Sequence, residues 1–379
     1  MPKPQLFSAR RLPTPGECAF GFMSIFCLAC ILRNSEVAIA GMTRGLKLCV
    51  STVIPSLFPF MVLSELIVSS GAVVPVGKLL SRPFRWLFGI RGEGSVAVLL
   101  GALCGFPVGA KSAVSLYHSG RLDRRELSHL LTFCNNPSSA FLISAVGTSL
   151  FGCHAFGILL YAVTLISALL CGIVSGLFFR HSAKKTGANR APKKTCPPPV
   201  REKERHGVES FTTAVSDSAV AMLSVCAFVV FFSVLTQTLT LILSGVHLSP
   251  TISALLCGIA EMTGGVSMSA ALPTRTGIFL CAGLVGWSGI SVHCQIMSIC
   301  RGCGISFFPY AVAKFAQGLL NVLLLKLTLL LFRPNLIFDG AGVSDTWETA
   351  PSAFSWLAAV LFLLTLVLLL LRKKRPHRA

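Results

Sequence analysis

The sequence contains few charged residues and, among them, few acidic ones. Only 12% of the 379 residues are charged, with 14 Asp or Glu against 33 Lys or Arg, and the mean hydropathy is +0.75. Soluble domains carry about a quarter charged residues, so the composition excludes an ordinary soluble protein. Several apolar runs reach the roughly 20 residues that one helical crossing needs. The sequence therefore predicts an all-α polytopic membrane protein.

Motifs for nucleotide hydrolysis, hydrolase chemistry and metal binding are also missing. No Walker A loop, HExxH or GxSxG sequence occurs, which leaves ATP-driven transport and familiar hydrolase reactions without support. Most of the 15 cysteines lie in apolar segments, where cysteine acts as a small hydrophobe. The two CxxC pairs, at 27–30 and 300–303, lack a second pair or a histidine at zinc spacing. We therefore expect no catalytic residues, no metal and no cofactor.

The basic residues, which give a net charge of +19, are concentrated in tails and loops between apolar runs. By the positive-inside rule these segments lie on the cytoplasmic side. They comprise residues 1–15, 76–94, 120–125 and 180–206 and the C-terminal RKKRPHR. Residues 334–350 contain acidic but no basic residues and are expected outside. No nucleic-acid-binding module accompanies the charge, so the expected partner of these segments is the anionic inner leaflet of the bilayer.

One apolar segment, about 95–118, separates two of the basic loops, although both loops are expected inside. A full crossing would place them on opposite sides, so we expect a re-entrant hairpin whose tip is the Gly-Phe-Pro-Val-Gly sequence at 105–109. Each arm of about 12 residues would be roughly 18 Å long and would reach only mid-membrane. Irregular backbone at that depth must be buried in protein or line an aqueous cavity. The alternative is a proline-kinked crossing with one loop on the other side.

The remaining apolar runs predict seven further crossings and a second interrupted segment. The crossings lie at about 51–71, 130–150, 155–179, 214–243, 277–299, 308–332 and 352–371. The interrupted segment, LLCGIAEMTGGVSMSA, falls within 251–271 and is expected to be re-entrant from outside. The two halves then follow one plan in opposite orientation. Such inverted repeats are typical of secondary transporters, whose interrupted helices form the binding site.

We expect five regions along the chain. They are residues 1–40, a basic segment with the first transmembrane helix; 41–180, the first repeat; 181–210, a basic cytoplasmic linker; 211–333, the second repeat; and 334–379, an external loop, a last transmembrane helix and a basic tail. The apolar run at 18–32 is interpreted as an uncleaved helix, because the Ala-x-Ala sequence at 38–40 lies well past its end. A cleaved signal peptide is the alternative.

Five sequence blocks resemble a known family. They are PSLFPFMVLSELIVSSG (55–71), GALCGFPVGAKSAVSLYHSG (101–120), LLTFCNNPSSAFLISAVG (130–147), GIAEMTGG (258–265) and GWSGISVHCQIMS (286–298). In this order they resemble the YlbJ (SpoVV) family of sporulation integral membrane proteins, which is grouped with the nucleoside-recognition, or gate, domain proteins. The resemblance covers about residues 41–330.

This resemblance implies a fold like that of the concentrative nucleoside transporters, with two gate-type repeats. It also implies that dipicolinic acid, a small aromatic dianion, is moved across the outer forespore membrane by alternating access. Two alternatives are a transporter of a nucleoside-like solute and a non-transporting scaffold for spore cortex and envelope assembly. A membrane enzyme would rest on Glu261 and His293 alone. The sequence leaves open whether a proton or Na⁺ is coupled and whether the protein forms an oligomer.

Dipicolinate would need positive potential, hydrogen-bond donors and apolar walls. Lys111 follows the first hairpin tip, and an intramembrane lysine is by default a functional residue; snorkelling to the interface is the alternative. Asn135 and Asn136 precede Pro137, and their amides offer donors and acceptors to a carboxylate; capping of the broken helix is the alternative. The complete predicted substrate site comprises Gly105, Phe106, Pro107, Gly109, Lys111, Asn135, Asn136, Ser138, Glu261, Thr263, Ser291, His293 and Gln295.

Two members of this predicted site are titratable residues of the second half. Glu261 would pair with a cation such as Lys111, carry a coupling proton, or have a structural role alone. His293 would bind an anion or relay a proton, and packing against the backbone is its alternative role.

Two further charged residues are assigned structural roles. Glu65 is expected to pair with Lys78 or Arg82. Lys314 lies in a helix that begins near an interface, so its side chain is expected to snorkel.

Overall fold

The computed structural model describes residues 15–69, 73–185, 207–246 and 248–332, and all regular structure in these ranges is helical. The predicted crossing at 352–371, the loop and tail around it, and most of the 181–210 linker lie outside the described residues. The helices are α1 (Pro15–Arg33), α2 (Ser35–Leu48), α3 (Ile54–Ser69), α4 (Val73–Leu87), α5 (Gly94–Cys104), α6 (Val108–His118), α7 (Arg124–Leu131), α8 (His154–Lys185), α9 (Gly207–Gly245), α10 (Pro250–Ala260), α11 (Met262–Ala270), α12 (Thr274–Trp287), α13 (Gly289–Ile299) and α14 (Phe308–Phe332), with π-helical segments at Cys49–Val53 and Phe141–Leu150.

Four helical stretches in the described ranges are long and apolar enough to cross a membrane. They are α8, α9, α12 together with α13, and α14. Two bent pairs raise the number to six if each pair is one crossing: α1 with α2, bent by 102°, and α3 with α4, bent by 84°. The expectation of an all-α polytopic membrane protein is confirmed.

The first interrupted segment is a helical hairpin. Its arms, α5 and α6, have 11 residues each. At about 16 Å, neither arm crosses a hydrocarbon core of about 30 Å. The arms meet at Gly101 and Gly109, where a Cβ atom on either residue would lie within 3.0 Å of the other residue's Cα atom and would overlap the Cys134 carbonyl oxygen. At the tip, the Phe106 N–H donates to the Asn136 carbonyl oxygen at 2.7 Å, so the hairpin is held against the Asn-Asn-Pro-Ser stretch.

The second interrupted segment also forms two short packed helices, α10 and α11, with Glu261 between them. The Glu261 carboxylate accepts the backbone N–H groups of Thr263, at 2.8 Å, and Gly264, at 2.6 Å, and so caps α11. Gly258 and Gly265 make the close contact between the two arms, since a Cβ atom on Gly265 would lie 2.1 Å from the Cα atom of Gly258.

Both crossings that follow the hairpins are interrupted as well. α7 ends at Leu131 and helix resumes only near Phe141, because Pro137 lacks the N–H that a continuous helix needs. The crossing predicted at 277–299 is broken into α12 and α13, and this break was not predicted. Ser288 and Gly289 both adopt positive φ, 74° and 79°, which a right-handed helix does not accommodate.

The two halves share an order of elements: a helix, a short hairpin, a broken crossing and a long helix. Their opposite orientation stays a prediction. One apolar core joins the first hairpin and α7 to α13 of the second half. A second joins the π-helical segment Phe141–Leu150 and α8 to α11, α12 and α14. A third, smaller core joins α3 and the first hairpin to α9. Both halves therefore contribute to each core, and the polar residues between the cores come from both.

Candidate functional site

Lys111, on α6 of the first hairpin, forms an ion pair with Glu65 on α3. It is 9% exposed, and its Nζ atom donates to the Ser218 hydroxyl at 2.7 Å and lies 3.6 Å from the Glu65 carboxylate. The Ser115 hydroxyl donates to the other Glu65 oxygen at 2.7 Å. Lys111 and Ser115, four residues apart on α6, thus face Glu65 on α3, and the charge of Lys111 is compensated within the protein.

This geometry corrects two expectations. Glu65 does not pair with Lys78 or Arg82, whose side chains are exposed on α4, because the packing of α6 against α3 brings Lys111 to it. Glu261 does not pair with Lys111, because its carboxylate is turned back onto the first turn of α11.

Lys314 is the more deeply buried cation. It is fully buried, so the expectation that it snorkels to an interface is wrong. Its ammonium group donates to the Asn135 carbonyl oxygen, to Asn136 Oδ1 at 3.2 Å and to Gln317 Oε1 at 2.8 Å. All three partners are neutral, and no carboxylate of the described residues lies within ion-pair distance of this lysine. Its hydrogen bonds are satisfied, whereas its charge is not.

Lys314 begins a polar stripe along α14 that continues through Gln317 and Asn321. The Gln317 amide donates to Asn136 Oδ1 at 2.8 Å, and the Asn321 amide donates to the Ala282 carbonyl oxygen at 3.0 Å. All three side chains are fully buried. The substrate-site prediction missed them, although positions i, i+3 and i+7 of an otherwise apolar helix place them on one face.

The two asparagines of the Asn-Asn-Pro-Ser stretch have different roles. Asn136 joins the lysine network and also donates to the Phe133 carbonyl oxygen at 2.9 Å, which fits the expected capping of the broken helix. The Asn135 side chain is fully buried, yet neither its amide nitrogen nor its oxygen has a hydrogen-bond partner. Contact of either residue with a ligand stays a prediction.

His293 lies in an aromatic environment and does not bond to the backbone. It is 4% exposed, and neither ring nitrogen has a hydrogen-bond partner. Its ring centroid lies 4.3 Å from that of Trp287, 5.2 Å from that of Tyr310 and 5.7 Å from that of Phe307. The Tyr310 hydroxyl is also buried and has no hydrogen-bond partner. We call Trp287, His293, Phe307 and Tyr310 the aromatic pocket.

The other predicted residues surround this centre or lie apart from it. Gly105, Phe106, Pro107 and Gly109 form the first hairpin tip and its close contact, and Ser138 accepts the Phe141 N–H at 3.2 Å. Ser291 and Gln295 are buried on α13 beside His293. Glu261 and Thr263 belong to the cap of α11. The structure therefore brings Asn135, Asn136 and His293 together around Lys314, and it places Lys111 in a separate cluster.

Two adjacent cavities, which share lining residues, lie beside the aromatic pocket. The outer one, of about 300 Å³, lies between α7 and the turn at 300–307 and is lined by Arg124, Arg125, Ser128, Ile305 and Ser306. We call it the vestibule. The inner one, of about 90 Å³, shares Ser128, Ile305 and Ser306 with the vestibule and extends to Phe307 and Tyr310. The two arginines are exposed, so the vestibule is open to solvent and positively charged.

The start of α7 fixes the position of these arginines. The Asp123 carboxylate accepts the Glu126 N–H at 2.8 Å, and the Glu126 carboxylate accepts the Asp123 N–H at 2.9 Å, which is a capping box. Arg91 Nε lies 3.0 Å from the Glu126 carboxylate. Burial raises the pKa of Glu126, an effect opposed by the Asp123 N–H and by the Arg91 guanidinium. This rigid start of the helix holds Arg124 and Arg125 at the vestibule.

Residues 50–168 match the family model described as nucleoside recognition, named Gate. This stretch of the chain is therefore similar to a Gate domain, and we call it the Gate-like segment. Over 327 residues it is also 28% identical to the sporulation integral membrane protein YlbJ of Bacillus subtilis (strain 168), and the match covers 78% of each chain. These findings confirm the family resemblance of the five sequence blocks. No solved structure matches the chain.

The Gate-like segment, residues 50–168, supplies only part of the polar centre. It contains the first hairpin, the Asn-Asn-Pro-Ser stretch and the first turns of α8. Lys314 and the aromatic pocket lie beyond residue 168, on α12, α13, α14 and the turn before α14. The candidate site is therefore assembled where the second half meets the Gate-like segment. No group of three or more His, Cys, Asp or Glu residues that could hold a metal ion occurs in the described ranges.

Proposed function

We propose that this protein is a sporulation transporter, not an enzyme, and that it moves dipicolinate across the outer forespore membrane by alternating access. The observation that carries the proposal is Lys314, a fully buried cation with only neutral hydrogen-bond partners. A buried charge without a counter-charge is costly, and ionisable residues in membrane proteins face substrate or ion pathways. An anionic substrate would supply the missing negative charge.

The surroundings of Lys314 suit an anion that is also flat and aromatic. Exposed Arg124 and Arg125 raise the local concentration of anions at the vestibule. The aromatic pocket offers ring faces and edges against which a pyridine ring packs. Two interrupted hairpins and two interrupted crossings meet in this region, as in carriers whose halves move around a central site.

The charge of Lys314 also favours dipicolinate over a nucleoside. A neutral nucleoside would desolvate the lysine further without compensating its charge, whereas a dianion compensates it. The sporulation part of the proposal rests on the similarity to YlbJ, whose name describes a sporulation membrane protein. Coupling to a proton or Na⁺ belongs to the proposal, and imposing each gradient in turn would identify the coupled ion.

Uptake of radiolabelled dipicolinate into proteoliposomes tests the proposal. Wild-type protein should accumulate dipicolinate above empty vesicles, and excess unlabelled dipicolinate should compete while uridine should not. Lys314→Met should abolish uptake. Lys326→Met is the matched control, because Lys326 is exposed on the same helix, and it should transport like wild type. Folded wild-type protein that gives no uptake above empty vesicles would refute the proposal.

A further inference from the structure

Five buried polar atoms without hydrogen bonds belong to three neighbouring residues. They are the amide nitrogen and oxygen of Asn135, both ring nitrogens of His293 and the hydroxyl of Tyr310. The three residues are between 0% and 4% exposed. Buried polar groups are nearly always paired, so a cluster of unpaired ones requires a specific explanation. Tyr310 connects the cluster, because its ring centroid lies 5.2 Å from that of His293 and it lies one helical turn before Lys314, which binds the Asn135 carbonyl oxygen.

The polar side chains of these three residues are complementary to a carboxylate ligand. The amide of Asn135, the imidazole of His293 and the hydroxyl of Tyr310 each provide a hydrogen-bond donor, and carboxylate oxygens are acceptors. Trp287 and Phe307 add apolar ring surface on the other sides of His293. Lys314 supplies positive charge beside them, since it binds the main-chain carbonyl of Asn135 itself. The combination fits a small aromatic carboxylate.

We propose that Asn135, His293 and Tyr310, with the rings of Trp287 and Phe307, form the subsite that binds the ring and one carboxylate of the substrate, and that the vestibule leads to it. This inference rests on the proposed function and assigns its substrate contacts. Neither the Gate-like segment nor the predicted substrate site includes Trp287, Phe307 or Tyr310.

The cavity volumes show that the subsite must open to be filled. The vestibule, at about 300 Å³, is at the lower end of the range for small-molecule sites. The inner cavity, at about 90 Å³, corresponds to only about three water molecules at roughly 30 Å³ each. An aromatic acid can therefore occupy the vestibule, and its access to the subsite requires the inner cavity, which Ile305, Ser306 and Phe307 help to line, to widen.

Two tyrosines of this chain make a matched pair for the test. Tyr310 has a buried hydroxyl without a partner, whereas the Tyr161 hydroxyl donates to the Ala102 carbonyl oxygen at 3.0 Å. Tyr310→Phe therefore removes no hydrogen bond from the ligand-free protein and should not lower its melting temperature. Tyr161→Phe removes a satisfied bond and should lower it.

Equilibrium dialysis of purified full-length protein against radiolabelled dipicolinate then measures binding. Tyr310→Phe should raise Kd about tenfold, the effect of losing one hydrogen bond to a charged group, and Tyr161→Phe should leave Kd unchanged. His293→Phe, which keeps an aromatic ring but removes both nitrogens, should also raise Kd, and it serves as the second variant if Tyr310→Phe does not fold. Unchanged Kd in both Tyr310→Phe and His293→Phe would overturn the inference.

Uptake by the wild type separates this inference from the proposed function. Binding that depends on Tyr310 and His293, without uptake into proteoliposomes, would refute transport and support the subsite. Uptake with binding that is insensitive to both substitutions would support transport and refute the subsite. Absence of both binding and uptake would refute both.

Discussion

Replacing Glu65 by glutamine removes the carboxylate that lies 3.6 Å from the Lys111 ammonium group, while it keeps the shape of the side chain. Lys111 would then be buried with the Ser218 hydroxyl as its main partner and with Asp217, an exposed residue, contributing at longer range. Two unit charges at this distance attract by about 4–5 kcal/mol at an effective dielectric constant of about 20. Breaking a buried pair costs about 3–5 kcal/mol. Because Glu65 retains 20% side-chain exposure, we expect a loss nearer to about 2–3 kcal/mol of unfolding free energy.

A double-mutant cycle measures this interaction directly. Lys111→Met alone should also destabilise, since it leaves the Glu65 carboxylate unpaired, but Glu65→Gln with Lys111→Met should be close to wild type. The assay is reversible unfolding in mixed micelles, followed by the loss of helical circular dichroism. A coupling free energy of about 2 kcal/mol is expected. Additive effects, with coupling below about 0.5 kcal/mol, would refute the ion pair that joins α3 to α6.

Two other predictions concern the hairpin tip and the vestibule. Gly105→Ala should cost about 2 kcal/mol or more of unfolding free energy, because its φ is +81° and a Cβ atom would lie 2.5 Å from the Ser138 nitrogen. The control Gly152→Ala, at φ +64° in open space, should cost only about 1 kcal/mol. Equal costs for the two variants would contradict the close contact at the hairpin tip. Arg125→Gln should raise the KM for dipicolinate uptake several-fold at low ionic strength, leave kcat unchanged and weaken the salt dependence of uptake. The control Arg82→Gln, on the exposed face of α4, should change neither KM nor the salt dependence. An unaltered salt dependence in Arg125→Gln would contradict the role of the vestibule.

The sequence predicted those helix interruptions that a proline or flanking basic loops indicate. Basic loops on both sides of 95–118 predicted a hairpin, and α5 and α6 form one with its break at the expected residues. Pro137 predicted the second break. No proline or flanking basic loop indicates the break at Ser288. Serine rarely adopts a positive φ, and only the surrounding packing fixes that conformation.

The charged residues were harder to place because their partners are distant in the sequence. Glu65 and Lys111 are joined by the packing of α3 on α6, so the expectation that Glu65 pairs with a basic residue nearby in the sequence was wrong. Lys314 was expected at an interface because it lies near the start of its helix. Lys314, Gln317 and Asn321 recur at helical spacing on an otherwise apolar helix, and this pattern predicts that Lys314 lies on a buried polar face. The predicted residues Asn135, Asn136 and His293 lie around this lysine, and the rings beside His293 were not predicted.

The uncompensated charge of Lys314 should select an anion over a neutral ligand, and a comparison of charged and neutral ligands tests this selection most directly. The affinities of dipicolinate and of its uncharged diamide should be measured by equilibrium dialysis on wild type, Lys314→Met and the exposed control Lys326→Met. Wild type and Lys326→Met should prefer the dianion by about tenfold to a hundredfold, the range expected for charge-assisted hydrogen bonding. Lys314→Met should lose that preference while it retains affinity for the diamide. An equal preference for the dianion in Lys314→Met and wild type would contradict the account.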